Sequence, residues 1–280
     1  MRLLIGFDGS DGGRDALALG RALAETTGAG VLVATVIPYG PLPVDFTALE
    51  SDTAAEAAPL LEEARERLQG LDVETRAFGG GSPAGVINDV AESEEVGTIV
   101  VGSPHRGAIG RALLGSVAQG LLGGAPCAVA VAPRGYAEHP PQAFRLIGVA
   151  YDGTPESKLA IGRAAAAAEA TGAAVRVFTA VAPPVALPGV VGYTPVHPPE
   201  PNKVLDEGVR AVGPGVAVEG RLLDGPPAAT LAEACEEGVD LLVVGSRGYG
   251  PAMRVLLGSV SSKLIHCAPC PVLVEPRAGK

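Results

Sequence analysis

The sequence predicts an α/β protein built from two tandem, doubly wound parallel-sheet domains of Rossmann-like order. Three observations predict it. Strand-length apolar runs alternate with helical segments along the whole chain, the pattern of a parallel sheet covered on both faces. The alternation occurs twice within 280 residues, which suits two domains of about 140. Apolar residues make up 47% of the chain and charged ones 19%, so a core can be buried, while 4% aromatics and no Trp make that core aliphatic.

The duplication is explicit in the residues. Val100-Val101-Gly102-Ser103 returns as Val243-Val244-Gly245-Ser246, and Arg111-Ala112-Leu113-Leu114-Gly115-Ser116-Val117 as Arg254-Val255-Leu256-Leu257-Gly258-Ser259-Val260. Ala125-Pro126-Cys127 returns as Ala268-Pro269-Cys270; all three share an offset of 143. Near the starts, Ile5-Gly6-Phe7-Asp8-Gly9-Ser10 mirrors Val149-Ala150-Tyr151-Asp152-Gly153-Thr154 at an offset of 144. A first domain over residues 1–135, a linker over 136–144 and a second domain over 145–280 follow, the linker signalled by Pro140-Pro141.

In the first half, Leu3–Phe7 is a buried-strand run and Ser10 or Asp11 caps a helix to about Thr27. Val31–Ile37 is a strand, Tyr39–Asp52 a Pro-containing excursion, Thr53–Leu68 a helix and Val73–Phe78 a strand. Pro83 opens a helix to about Ser93. Thr98–Val101 (strand), Ser116–Leu122 (helix) and Ala128–Ala132 (strand) complete the unit. The second half repeats it: Leu146–Tyr151, Glu156–Thr171, Ala174–Val181, a Pro-rich loop over Pro183–Pro201, a helix near Val204–Val212, then Val216–Leu223, Pro227–Glu237, Leu241–Gly245, Gly258–Cys267 and Val272–Glu275. Ligands of such sheets bind beyond the carboxyl ends of the strands. Those ends are Asp8, Val36 and Gly102 in one half and Asp152, Val181 and Gly245 in the other.

Charge and composition exclude several classes. The formal net charge is −10, against the basic face a nucleic-acid binder needs. Residues 1–140 carry 9 Arg, no Lys and 18 acids, whereas residues 141–280 carry 12 basic and 13 acidic side chains, so an anionic ligand favours the second half. The apolar runs are strand-length and Asp8 comes too early for a secretory leader, so a cytoplasmic protein without a membrane span is expected. Four Cys make no disulfide framework. Cys267-Ala268-Pro269-Cys270 closes a helix before a strand, the reverse of a redox CxxC, and reads as buried small residues.

The informative segment is Gly245-Ser246-Arg247-Gly248-Tyr249-Gly250-Pro251-Ala252-Met253-Arg254-Val255-Leu256-Leu257-Gly258-Ser259-Val260-Ser261. It leaves a strand, runs through a glycine-rich loop and enters a helix, whose free N–H groups and positive dipole end suit phosphate. Ser259 and Ser261 add hydroxyls, and Arg247 is either a phosphate clamp or a solvated loop side chain. As strand, loop and helix alone, the segment fits phosphate binding or ordinary turn chemistry. It is neither a Walker loop nor GxGxxG.

Gly245-x2-Gly248-x9-Gly258-Ser259 resembles the nucleotide-binding motif of the universal stress protein family, Gly-x2-Gly-x9-Gly-Ser/Thr. Asp152 closes the first strand as in that family, Gly225-Pro226-Pro227-Ala228 resembles its Gly-x-Pro-Ala helix start, and Val239–Gly245 and Ala268–Val274 resemble its fourth and fifth strands. The resemblance covers nearly the whole of both halves. It implies an ATP site, with or without magnesium. Asp152 would face the adenine–ribose end and Val181 the adenine; Gly245 and Gly248 would lie against ribose and phosphates, and Gly258, Ser259, Val260 and Ser261 would meet the triphosphate. The first-half counterparts are Asp8, Val36, Gly102, Gly115 and Ser116. The family also implies an antiparallel pairing of fifth strands, here within one chain as a pseudo-dimer, with room for further homodimerisation.

The first half departs from the pattern: His105 replaces the second glycine, Ala118 stands for Ser261 and Gly97 for Asp240, so weaker ATP binding is expected there. Asp8 and Asp152 are also ordinary turn and cap residues. No catalytic or metal-binding set emerges. The function expected is an ATP-binding, stress-responsive sensor or regulator loaded mainly in the second half. A slow adenine-nucleotide hydrolase and a nucleotide-free dimerisation scaffold are the alternatives; efficient hydrolysis needs a metal-holding acid, and no acidic pair lies near Gly245–Ser261.

Overall fold

The computed structural model describes residues 2–38, 46–103, 115–181, 200–246 and 258–276. The first half runs β1 (Arg2–Gly6), α1 (Asp11–Thr27), β2 (Gly30–Pro38), α2 (Phe46–Arg67), β3 (Val73–Gly80), α3 (Pro83–Ser93), β4 (Thr98–Gly102), α4 (Ser116–Leu121) and β5 (Ala128–Ala132). A short 3-10 turn, Tyr136–Glu138, leads into the second half. There β6 (Leu146–Ala150), α5 (Pro155–Thr171), β7 (Ala174–Val181), α6 (Pro201–Val212), β8 (Val218–Asp224), α7 (Pro227–Cys235), β9 (Leu241–Gly245), α8 (Ser259–Cys267) and β10 (Val272–Glu275) follow.

All ten of these strands join one sheet in the order β3-β2-β1-β4-β5-β10-β9-β6-β7-β8. Every pair is parallel except β5 with β10, where Val131, Ala130 and Val129 face Val272, Leu273 and Val274. Each half is edged by a fifth strand of small aliphatic residues, and pairing the two removes both edges.

The strands are apolar on both faces, so helices must cover both. Leu17, Leu19, Ala64, Ile161 and Val204, from α1, α2, α5 and α6, fill one layer. Ile87, Leu121, Leu231 and Leu264, from α3, α4, α7 and α8, fill the other. Strand order reverses at β1/β4 and again at β6/β9, which opens a crevice at the carboxyl ends of the strands in each half.

Several boundaries differ from the sequence reading. Helix α2 begins at Phe46, seven residues before Thr53, and carries Pro59 inside it. Helix α6 begins at Pro201 rather than Val204, because Pro suits a first helical position. The Pro-rich linker is not a free tether. Tyr136 is buried in the core, and the buried Asp15 carboxylate of α1 accepts the backbone N–H groups of Gly135 (3.0 Å) and Ala137 (2.8 Å). In the second half, Asp240 accepts from the N–H groups of Arg145 (2.7 Å) and Leu146 (2.9 Å), fixing the start of β6.

Candidate functional site

Both crevices are built the same way. In the first, Asp8 follows β1, and its Oδ1 accepts from the N–H (3.0 Å) and the hydroxyl (2.5 Å) of Ser10. The Ser10 hydroxyl oxygen accepts the Gly13 N–H at 3.0 Å and caps α1. In the second, Asp152 Oδ1 accepts from Thr154 N–H (3.1 Å) and hydroxyl (2.6 Å), and Thr154 Oγ1 accepts the Ser157 N–H at 3.2 Å. Each Asp therefore uses one oxygen to hold a helix start, while the side chain remains exposed at the crevice.

The first crevice holds a cavity of about 290 Å³. Asp8, Val36, Gly102, Gly115 and Ser116, all singled out from sequence, line it, and Ser10, Ser103, Gly12 and Gly13 complete its polar wall. Gly12 and Gly13 passed unnoticed in the sequence, although a glycine doublet in the first turn of a helix is a poor helix start and so a signal of close approach. A Cβ on Gly102 would lie 1.8 Å from the Gly12 carbonyl oxygen, so both glycines are needed to bring α1 against β4.

In the second crevice, Gly245 makes the same approach to α5: a Cβ there would lie 2.8 Å from the Glu156 carbonyl carbon. Gly258 caps α8 in extended conformation, with Ser259 at the first helical position. Ser261 Oγ accepts the Gly258 N–H at 3.0 Å, so its hydroxyl shapes the helix start. Ala118 cannot make this bond in the first half. Val260 packs partly buried against the α7–α8 layer. The strand register displaces one expectation: Gly6 faces Ala34 and Ala150 faces Phe178, which makes Ala180 the counterpart of Val36. Val181, paired with Asp224, lies one residue beyond and on the opposite face of β7. Arg247 and Gly248, and His105 in the first half, lie outside the described residues.

Ser246, next to Gly245, was also missed. Its hydroxyl is buried and has no hydrogen-bond partner among the described residues. Other buried polar atoms, Thr35 Oγ1, Thr75 Oγ1 and Tyr136 Oη among them, also lack a partner among the described residues, so what distinguishes Ser246 is its place just past the end of β9.

Three of the four cysteines, Cys127, Cys235 and Cys270, are buried. Burial pushes the Cys127 thiol up to about 12, and a hydrogen bond with Cys235, together with burial, pushes Cys270 well above the usual thiol range. Thiols held protonated are poor nucleophiles. Cys267 is exposed, contrary to the expectation that the Cys267-Ala268-Pro269-Cys270 segment holds buried small residues, whereas Cys270 is buried. Among the described residues no cluster of three His, Cys, Asp or Glu could hold a metal ion, and no helix is long and apolar enough to cross a membrane.

The universal stress protein family model matches residues 1–133 and 143–276. The chain belongs to the universal stress protein family. A universal stress protein of Mycobacterium tuberculosis is 35% identical over 187 residues, 65% of this chain and 62% of that one, so the match spans less than two thirds of the relative. A second from the same organism is 28% identical over 295 aligned positions, covering 99% of this chain and 100% of that one. In fold, this universal stress protein is similar to one from Archaeoglobus fulgidus (TM-score 0.77, 22% identity, covering 99% of this chain and 98% of that chain). It is also similar to a putative universal stress protein from Pseudomonas aeruginosa (TM-score 0.63, 18% identity, covering 98% and 93%).

Proposed function

We propose that this universal stress protein is an ATP-binding sensor or regulator whose nucleotide is held mainly in the second half. The observation that carries the reading is the orphaned, buried Ser246 hydroxyl beside Gly245, at the head of a loop that enters the nine-residue helix α8 at Gly258-Ser259. A ligand with phosphate oxygens would satisfy that hydroxyl and the free N–H groups of the helix start together. The complete glycine spacing, with Gly248 where the first half has His105, supports the second half over the first. The first-half cavity, with the same Asp and cap arrangement, provides a second, weaker adenylate position.

The test is to denature the freshly purified protein, identify released nucleotide by chromatography, and titrate the ligand-free protein with ATP. Intact ATP in the extract and saturable binding are expected. ADP with turnover on added ATP would favour a hydrolase, and no adenylate and no binding would overturn the reading.

A further inference from the structure

Three of the four thiols meet at one end of the α7–α8 layer. Cys235 is the last residue of α7, Cys267 is the last of α8, and Cys270 lies just before β10. Cys235 and Cys270 are buried, at 2% and 6% exposure, and share a hydrogen bond. Cys267 is exposed, and its sulfur lies 4.0 Å from the Ala228 carbonyl oxygen of α7. Partial burial and the nearby Cys235 raise the Cys267 thiol, so all three belong to one cluster.

The first half shows that packing does not require this cluster. Cys127 stands for Cys270, but Gly124 stands for Cys267. The buried face of α3, Ile87, Val90 and Ala91, matches Leu231, Ala234 and Cys235 of α7, so Ala91 stands for Cys235. The same layer therefore closes with one thiol in the first half and holds three in the second. Cys235 and Cys270 in hydrogen-bond contact are a pair that a disulfide can join with little movement. Buried and protonated, neither can open an exchange with a reagent in solution. Cys267 can, because it alone of the three reaches solvent.

We propose that Cys267, Cys270 and Cys235 form a thiol–disulfide relay: Cys267 takes up oxidation from a low-molecular-weight disulfide, RSSR, and passes it inward to leave a Cys235–Cys270 disulfide. Cys267, as thiolate, attacks one sulfur of RSSR; a Cys267–SR bond forms and RS⁻ leaves, taking a proton from water. Cys270 then attacks the Cys267 sulfur and expels the second RS⁻, which takes the proton that Cys270 gives up. Cys235 attacks the Cys270 sulfur, and the electron pair of the broken bond returns to Cys267 with the proton from Cys235. Two protein thiols are oxidised, RSSR is reduced to two RSH, and Cys267 ends as a free thiol. The final bond ties the end of α7 to the start of β10 and closes a long loop, which stabilises the folded chain.

The experiment exposes the folded, reduced full chain to hydroxyethyl disulfide at mildly alkaline pH, then alkylates free thiols in denaturant and maps the peptides by mass. The expected product is a Cys235–Cys270 cross-link, two hydrogens lighter, reversed by dithiothreitol, with Cys267 and Cys127 alkylated. Cys127, buried in the other half, gauges unfolding: its modification in step with the cluster would mean that the reaction passes through the unfolded chain and would overturn the relay. Cys267→Ser, at an exposed position, should slow the cross-link about tenfold or more. Cys235→Ala, which copies Ala91, should stop the reaction at a Cys267–Cys270 bond. Wild type in which Cys235 and Cys270 stay alkylated, or in which a Cys267 mixed disulfide persists, overturns the proposal. So does Cys267→Ser forming the cross-link at the wild-type rate.

Discussion

Ala130 lies directly opposite Leu273 in the antiparallel pairing of β5 with β10, and the two are each other's counterparts in the repeat, 143 positions apart. Val129 faces Val274 and Val131 faces Val272, so every flanking pair exchanges counterparts as well. A local twofold axis passes between Ala130 and Leu273, and one chain makes with itself the self-complementary contact that two identical subunits would make. Both residues are buried, at 0% and 3% exposure. Leu273→Asp places an unpaired carboxylate in this seam and should cost roughly 3–5 kcal/mol. Urea unfolding checks it; a loss below about 1 kcal/mol, the range of an ordinary surface substitution, would mean that the seam opens to water.

Asp15 ties the linker to α1 through two hydrogen bonds that span more than a hundred residues of sequence. Asp15→Ala leaves the N–H groups of Gly135 and Ala137 without this acceptor and should destabilise the chain by about 2–4 kcal/mol. Amide exchange at Gly135 and Ala137 should accelerate in the variant. Unchanged exchange at both would show that the carboxylate does not hold the linker.

The two helix–strand approaches differ in tightness. A Cβ at position 102 meets a backbone oxygen at 1.8 Å, whereas one at position 245 meets backbone no closer than 2.8 Å. Gly102→Ala should therefore cost more than Gly245→Ala, by about 1–2 kcal/mol, since the overlap with backbone at position 102 is deeper. Equal melting temperatures for the two variants would contradict this.

Glu63 of α2 bridges Arg14 of α1 and Arg67 of its own helix. The hydrogen bond from Arg14, opposed by partial burial and aided by Arg67, holds its carboxyl below the ordinary value of 4.5. A depressed folded value means that the stabilisation is present above 4.5 and is lost as pH falls through the lower folded value. Glu63→Gln should flatten the acid limb of stability against pH, measured by denaturant midpoints from pH 6 down to about pH 3. An acid limb identical to the wild type would remove Glu63 from the account.

Much of the fold was legible because the chain writes it twice. The offset of 143 aligned Val100–Ser103 with Val243–Ser246 and the helix starts at Ser116 and Ser259, so each weak local signal was read against a second copy. The start of α2 was not legible: Pro41 and Pro43 suggested an irregular stretch as far as Asp52, with the helix following from Thr53, whereas it begins at Phe46. Asp15 was hidden for a different reason. Its acceptors' partners lie at Gly135 and Ala137, and no local periodicity reports a contact across that separation. At the site, Gly245, Gly258, Ser259 and Ser261 were readable from spacing. Gly12 and Gly13 were not, because what demands them is the close approach of α1 to β4, which spacing does not report.

The central claim is that adenine nucleotide sits mainly at the second crevice. Photolabelling of the intact chain with 8-azido-ATP, followed by peptide mapping, tests it most directly. Label concentrated in peptides around Asp152 and the end of β7, and suppressed by excess ATP, is the predicted result. Label confined to the first-half peptides around Asp8 and Val36, or label that ATP does not suppress, would contradict it.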